Sequence, residues 1–421
     1  MIYYFLNKLN HWKRFPYFFV TPLVYAVGSA CEEIKIAYSF SRKTKKKIFV
    51  LNVHFFQKIL KYKVCNNSLF EDLKFENYTK LEKSIKSVVN FLLNIEFIFR
   101  RFFVLILKIF YKGDLSKYNF PIIGFEQMID LDKNKINPKK NIFIDYNQIK
   151  KIDFIKNEID LETIQNQYCI NKLKFLNIPF DSLVLLHVRD EEYRNDKNRR
   201  SYRNSNINSY IESIKHLINQ NYFVIRVGRS PSKEISFKDK NFFDYSRSNI
   251  QEDILDIFLI KNCKYFVGTQ SGIFDMAQLF NKPILVTNMV ELYCSYPLKI
   301  NDRGIFKKIY HHGKQLDIVD YLKYDFNYHN PTNHIEDLSF EDNSEEEIFY
   351  SLNEFLDIQK APTLSKIQKN FNKLLLYEHM KHYEKSPKKL FTIYSSYKVV
   401  RLVKNKEGCL TNFNLKKLSL N

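Results

Sequence analysis

The feature that most restricts the fold lies between residues 183 and 288, where short apolar runs alternate with segments of helical periodicity. The runs fall at 183–188 (LVLLHV), 222–227 (YFVIRV), 264–267 (KYFV) and 284–287 (ILVT). They are too short for core helices and lack a polar/apolar alternation, as in strands covered on both faces. Between them Ile207, Tyr210, Ile211, Ile214, Leu217 and Ile218 recur at helical spacing, as do Ile254, Leu255, Phe258 and Leu259, and a third helix is expected at 273–280. Four strands with three intervening helices predict a parallel, doubly wound sheet.

Such a sheet gathers the loops that follow its strands along one edge, where ligands bind. His187 lies near the end of the first strand, Arg189, Asp190, Glu192, Tyr193 and Arg194 follow it, and Arg203 and Asn204 lie further along the same loop. Arg226 and Gly228 close the second strand, and Asp244 sits in the polar loop beyond it. Thr269, Gln270, Ser271 and Gly272 follow the third strand and Asn288 the fourth. The arginine fork meets phosphate oxygens two at a time, so Arg189 at a strand end suits a phosphate. In the GTQSG loop, Gly268 and Gly272 permit close backbone approach, and Thr269 or Ser271 can bond an oxygen. The free N–H groups of the helix that follows suit a diphosphate. Two plainer readings stand beside this one: Ser271 as a helix N-cap, and the arginine loop as a solvated connection.

Charge agrees with an anionic ligand. The 421 residues carry 66 Lys and Arg against 46 Asp and Glu, a formal +20. That balance favours nucleic acid, anionic lipid or phosphorylated small molecules. The six cysteines, at 31, 65, 169, 263, 294 and 409, form no C-x-x-C pair and no Cys/His cluster, which argues against a zinc site or a disulfide framework and fits a reducing cytoplasm.

The N-terminal part reads in two ways. Lys8, Lys13 and Arg14 before the uncharged run 15–31 resemble a signal peptide, but Pro16 and Pro22 interrupt that run. The alternative is a strand at 18–27 (FFVTPLVYAV), a turn at Gly28, Ser29 and Ala30, a helix from about Glu32, and a second strand at 48–53, the start of a Rossmann-like unit. In it Gly28, Ser29 and Glu32 face an acceptor, or Glu32 and Glu33 merely favour the helix dipole. Residues 68–112 read as helical, with uncharged runs only at 87–95 and 102–107. Both are well short of the roughly 20 residues a membrane span needs. This basic, aromatic helix packs in a core or lies on an anionic membrane surface. Ser344 and Glu347 are spaced as a capping box. His311, His312, His329 and His334 have no acidic or cysteine partner at metal-ligand spacing and read as surface or packing residues.

HVRD-x-x-Y at 187–193 resembles the H-x-R motif of fucosyltransferase-like glycosyltransferases, and 252–280 resembles the helix, strand and Ser-bearing donor loop of their later motif. The order HVRD, RN, VIRVG, SG is similar to that of a bacterial glycosyltransferase family of surface-polysaccharide gene clusters. The likeness covers about residues 180–290. It implies an α/β, GT-B fold: two Rossmann-like doubly wound domains facing a cleft. The expected division is an acceptor domain at 1–175, a nucleotide-sugar domain at 176–360 and a basic helical tail at 361–421. The implied function is a hexosyltransferase moving a sugar from a nucleoside-diphosphate sugar to a hydroxyl of a bacterial surface glycan, of lipopolysaccharide O-antigen or capsule type.

The same resemblance implies that Arg189 holds the β-phosphate, that Ser271 and Gly272 seat the phosphates, and that Asp244 lies near the base or ribose. His187, Tyr193, Arg194, Arg203, Asn204, Arg226, Gly228, Thr269, Gln270 and Asn288 complete the donor site. Those enzymes usually carry two adjacent arginines; here Asp190 follows Arg189, so Arg194 or Arg203 is the second cation and a GDP-fucose donor is put in doubt. The catalytic base is sought among Asp190, Glu191, Glu192, Glu32 and Glu33, with Asp190 preferred, and Arg189, Asp190 and Glu192 are the assigned catalytic set. No metal or cofactor is implied. The sugar nucleotide is substrate, and Asp130-Leu131-Asp132 is a D-x-D with no clear strand before it. Expected partners are the sugar nucleotide and a glycan or lipid-linked glycan acceptor, in the cytoplasm or peripherally on the inner face of its membrane, and no nucleic acid. The rival readings are a basic nucleic-acid-binding protein and an inactive sugar-nucleotide-binding module.

Overall fold

The computed structural model describes residues 2–22, 24, 26–52, 64–111, 159–190, 201–229, 233–292, 296–323, 337–385 and 408–418. The chain divides into two compact units, Met1–Cys169 and Ile170–Asn421. The division falls within the helix Thr163–Leu173.

In the first unit, β1 (Tyr17–Val20) and β2 (Lys47–Val50) pair in parallel, joined by the helix Val27–Thr44. This is the expected β-loop-α-β start, with one correction. The turn assigned to Gly28, Ser29 and Ala30 is the first turn of that helix. The strand already ends at Val20, ahead of the assigned turn, and Gly28 and Ala30 are buried in the helix. Glu32 is also buried, at 2% exposure. The region expected as one helix, 68–112, is broken. Ser68–Glu71 is a single turn, β3 (Leu73–Lys74) pairs antiparallel with β4 (Asp160–Leu161), and the long helix is Lys80–Phe110. A capping box fixes its start: the Glu82 N–H donates to Thr79 Oγ1 at 3.2 Å, and the Thr79 N–H donates to Glu82 Oε2 at 2.7 Å. Leu93 and Phe97 pack into a core with Leu6, Phe19, Phe49 and Leu51. Among the described residues this unit holds one βαβ element rather than a doubly wound sheet, and across both units no helix is long and apolar enough to cross a membrane.

The second unit is built on a seven-stranded sheet. Its strands are β5 (Leu183–His187), β6 (Phe223–Arg226), β7 (Phe242–Asp244), β8 (Tyr265–Thr269), β9 (Ile284–Met289), β10 (Arg303–Phe306) and, after the small antiparallel β11 (Lys308–His311), β12 (Lys314–Gln315) and β13 (Leu338–Glu341), β14 (Cys409–Leu410). The order is β14-β10-β9-β8-β5-β6-β7, every pair parallel. Without β14 this is the 3-2-1-4-5-6 order of the Rossmann-like doubly wound sheet, with the switch point between β5 and β8. Every residue of β5, β6, β8 and β9 is buried, the signature of two covered faces. Val184, Leu186, Val224 and Val267 pack with Ile214 and Leu217 of the helix Ile211–Asn219 and with Ile348, Leu352 and Phe355 of the helix Glu345–Ile358. The helix Asp253–Asn262 lies against β5. The Ser344–Glu347 capping box forms as the spacing predicts.

The segment 361–421, expected as a separate tail, contributes β14 to the edge of this sheet. Buried Arg303 anchors it: Nη2 donates to Thr363 O at 2.7 Å, while Glu354, 3.5 Å from its Nε, accepts from the Asn412 N–H at 2.8 Å. Gly408 makes the approach possible, because a Cβ there would lie 2.3 Å from Pro297 O.

Candidate functional site

The site grows from the register of the two central strands. His187 stands opposite Gly268, which brings the residues after β5 beside the end of β8. A Cβ on residue 268 would lie 2.4 Å from the His187 carbonyl, so glycine is what lets the strands close there. One step on, the Arg189 N–H donates to Thr269 Oγ1 at 2.9 Å. From the other side, the Ser205 N–H donates to Arg189 O at 3.0 Å. The guanidinium donates from Nη1 to Asn204 Oδ1. Arg189 and Asp190 are half-buried at the edge of the switch point. Past Thr269, Ser271 occupies the N-cap position of the helix Gly272–Leu279 in an extended conformation. Its hydroxyl does not cap that helix, and its Oγ is buried with no hydrogen-bond partner. The plain N-cap reading of Ser271 therefore accounts for its place but not for its side chain.

His187 ends β5 as a neutral imidazole. Burial depresses its pKa to about 4, and its Nδ1–H donates to Val227 O at 3.1 Å, tying β5 to the end of β6. Gly228 follows at φ +142, where a Cβ would also press on the ring at 3.3 Å from Nδ1.

Several residues expected to touch the donor are turned inward. Arg226 is 1% exposed and in register with Asp244; its Nη1 donates to Asp244 Oδ2 at 3.1 Å and to Lys233 O at 2.9 Å. Asp244 also accepts from the Ser246 hydroxyl. Arg203, the proposed second cation, is buried against the fully buried Glu291, with Nε donating to Oε1 at 2.9 Å and Nη2 to Oε2. Gln270 braces the same loop: its Oε1 accepts from the Val290 and Glu291 N–H groups at 2.8 and 3.0 Å, and its Nε2 donates to Glu291 O. Asn288, at φ +52, exchanges two 2.7 Å hydrogen bonds with Asn343 and donates to Tyr210 Oη at 3.1 Å. Glu192, Tyr193, Arg194 and the D-x-D at 130–132 lie outside the described residues, as do His329 and His334. Gly28, Ser29 and Glu32 belong to the first unit.

Two participants carry no signal in the sequence. Lys307, 2% exposed, follows β10 and donates from Nζ to Asn204 O at 2.7 Å and to Asp342 Oδ1 at 2.6 Å; burial lowers its pKa, and Arg189 adds to the lowering. Glu291, besides holding Arg203, accepts from the Tyr202 hydroxyl at 2.5 Å. Asn204 therefore joins Arg189 through its side chain and Lys307 through its carbonyl, so that cations from two strand ends flank one short loop. Chemically the edge offers a guanidinium, an uncommitted hydroxyl and the N–H groups that open a helix, a set suited to an anion. Comparison with protein-family models, with curated proteins and with solved structures returns no match for this chain.

Proposed function

We propose that the protein is a glycosyltransferase of the two-domain GT-B kind, using a nucleoside-diphosphate sugar to glycosylate a hydroxyl of a bacterial surface glycan. The observation that carries this reading is the bond from the Arg189 N–H to Thr269 Oγ1 at the switch point of the sheet. It joins the arginine loop to the loop that opens the helix Gly272–Leu279, at the place where doubly wound sheets bind nucleotides. The diphosphate then lies against the Arg189 guanidinium, the Ser271 hydroxyl and the first amides of that helix. As the acceptor oxygen attacks the anomeric carbon, the bond to the diphosphate breaks and its electron pair passes to the phosphate oxygen. Preorganised donors favour the charge that develops there. The acceptor proton goes to a carboxylate, for which Asp190 is the assigned base. The mechanism uses no metal, as in the fucosyltransferase-like enzymes that the sequence resembles.

A thermal-shift screen over UDP-, GDP- and dTDP-linked sugars tests this reading. A ligand at a hundred times its Kd adds about 2.7 kcal/mol to the native state. One donor should raise the melting temperature, and Arg189→Ala should melt like the wild type while losing both that shift and sugar transfer. A screen in which no sugar nucleotide stabilises the protein overturns the assignment, as does full turnover by Arg189→Ala.

A further inference from the structure

The helix Lys80–Phe110 has 31 residues and a length of about 46 Å. Only one side of it meets the core, through Leu93 and Phe97. Leu81, Val88, Phe99, Phe102, Phe103 and Phe110 stand on the other side, with Phe99 70% and Phe110 81% exposed. A soluble surface rarely leaves so long an apolar ridge in water without a use for it. The helix cannot cross a bilayer, because its charges break it into uncharged runs no longer than 87–95 and 102–107.

Its charge selects among occupants. The helix carries six cations, at 80, 83, 86, 100, 101 and 108, and only two carboxylates. Both carboxylates are engaged with cations: Glu82 accepts from Lys47 Nζ at 2.8 Å, and Glu96 accepts from Arg100 at 2.6 Å. Lys80 and Lys83 are exposed at its start. The helix Ile2–His11, which packs against it through Leu6, exposes Phe5, and the only tryptophan of the chain, Trp12, stands just beyond at 57% exposure, with Lys8, Lys13 and Arg14 in solvent. Aromatic rings flanked by lysine and arginine are the side chains that settle at a lipid headgroup boundary.

We propose that the exposed face of Lys80–Phe110, with Trp12, docks the first unit on an anionic lipid surface, the helix lying in the plane of the headgroups. The apolar ridge enters the acyl boundary and the surrounding cations meet the headgroup phosphates. This docking is independent of the nucleotide site and holds for any activity of the second unit.

The test is co-sedimentation of the full chain with phosphatidylcholine vesicles, with and without about a third phosphatidylglycerol. The wild type should bind the anionic vesicles roughly tenfold or more tightly than the neutral ones, and the triple variant Phe99→Ser, Phe102→Ser, Phe103→Ser should bind them roughly tenfold more weakly at an unchanged melting temperature. Trp12→Ser, on the neighbouring segment, should weaken binding as well and serves if the triple variant misfolds. Equal binding by wild type and variants overturns the proposal, since the attraction would then be the undirected charge of the chain. A concentration-dependent dimer that the triple variant abolishes, without vesicle binding by the wild type, also overturns it and assigns the ridge to a second copy.

Discussion

Thr269→Val isolates the contact on which the proposed nucleotide site depends. Valine keeps the volume and branching of threonine at a position with no solvent exposure, so the β8 packing survives. What disappears is the acceptor for the Arg189 N–H, now 2.9 Å from Oγ1. A fully buried amide left without a partner costs about 1–3 kcal/mol. Arg189 is half-buried and water reaches its neighbourhood, so the lower end applies, about 1 kcal/mol. In a unit of this size that lowers the melting temperature by about 2–4 °C. The effect on ligand binding should be larger than the effect on stability. The amide bond sets where the guanidinium leaves the backbone, and a displacement of about 1 Å in a phosphate contact can cost a hundredfold. Thermal melting and calorimetric titration with the best-stabilising nucleotide sugar measure the two effects on one sample. A Thr269→Val protein that melts a few degrees lower and binds as tightly as the wild type would show that the Arg189–Thr269 contact only holds the fold, and the site would have to be sought elsewhere.

Two further outcomes follow from groups around the site. Glu291→Gln leaves the Arg203 guanidinium buried with an amide in place of a fully buried carboxylate. Removing one partner of a buried pair costs about 3–5 kcal/mol, and since glutamine still accepts one hydrogen bond, about 3 kcal/mol is expected in urea unfolding; a loss under about 1 kcal/mol would refute the pairing. His187 gives a pH dependence whose sign is fixed. Unfolded, the ring takes a proton near the ordinary histidine value of 6.5; folded, burial holds it neutral down to about 4. Protonation in that window favours the unfolded chain, so stability falls as the pH drops from 6.5 to 4, by up to about 3 kcal/mol. Asp256 works against it, because burial raises its carboxyl from 3.8 to about 6 and stability is lost there as pH rises. The diagnostic quantity is therefore the difference between wild type and His187→Asn, whose amide can still donate to Val227 O; a pH-independent difference would refute the buried neutral ring.

The doubly wound sheet could be read in advance because its central strands are buried on both faces and must be apolar throughout. Residues 183–186 and 284–286 carry that pattern whatever surrounds them, and the polar residues come only where each strand nears the ligand edge. The edge strands carry no such constraint. Phe242–Asp244 lies in what reads as a polar loop, Arg303–Phe306 begins with an arginine, and Cys409–Leu410 has two residues. Their pairing is decided by distant partners, as when Arg303 reaches Thr363 and Glu354. The candidate site divides in the same way. That Arg189 and the GTQSG loop meet follows from strand order alone. Whether a polar residue beside them faces a ligand or braces a neighbour does not, because the answer lies in Glu291 for Arg203, in Asp244 for Arg226 and in Asn343 for Asn288. The helix start at Val27 is not legible in the sequence because Gly28-Ser29-Ala30 has the composition of a turn, whereas the burial that holds it helical comes from tertiary packing.

These inward-turned charges explain how the half-buried Arg189 is held in place. The pairs Arg203–Glu291 and Lys307–Asp342 each place a buried cation on a carboxylate, and such pairs add little net stability because desolvation offsets the attraction. Their geometric effect is larger. Arg203 pins one end of the short loop 201–206 to the segment after β9, Lys307 holds the carbonyl of Asn204, and the Asn206 N–H donates to Asp342 at 3.2 Å. The short loop whose Asn204 side chain receives the Arg189 guanidinium is thus fixed from three directions, by the buried Arg203 and Lys307 and by the half-buried Asp342. A cation oriented this way has little left to reorganise when charge develops on a departing phosphate, which is the condition under which electrostatic stabilisation is most effective. The pairs therefore contribute to the candidate site through position rather than through energy.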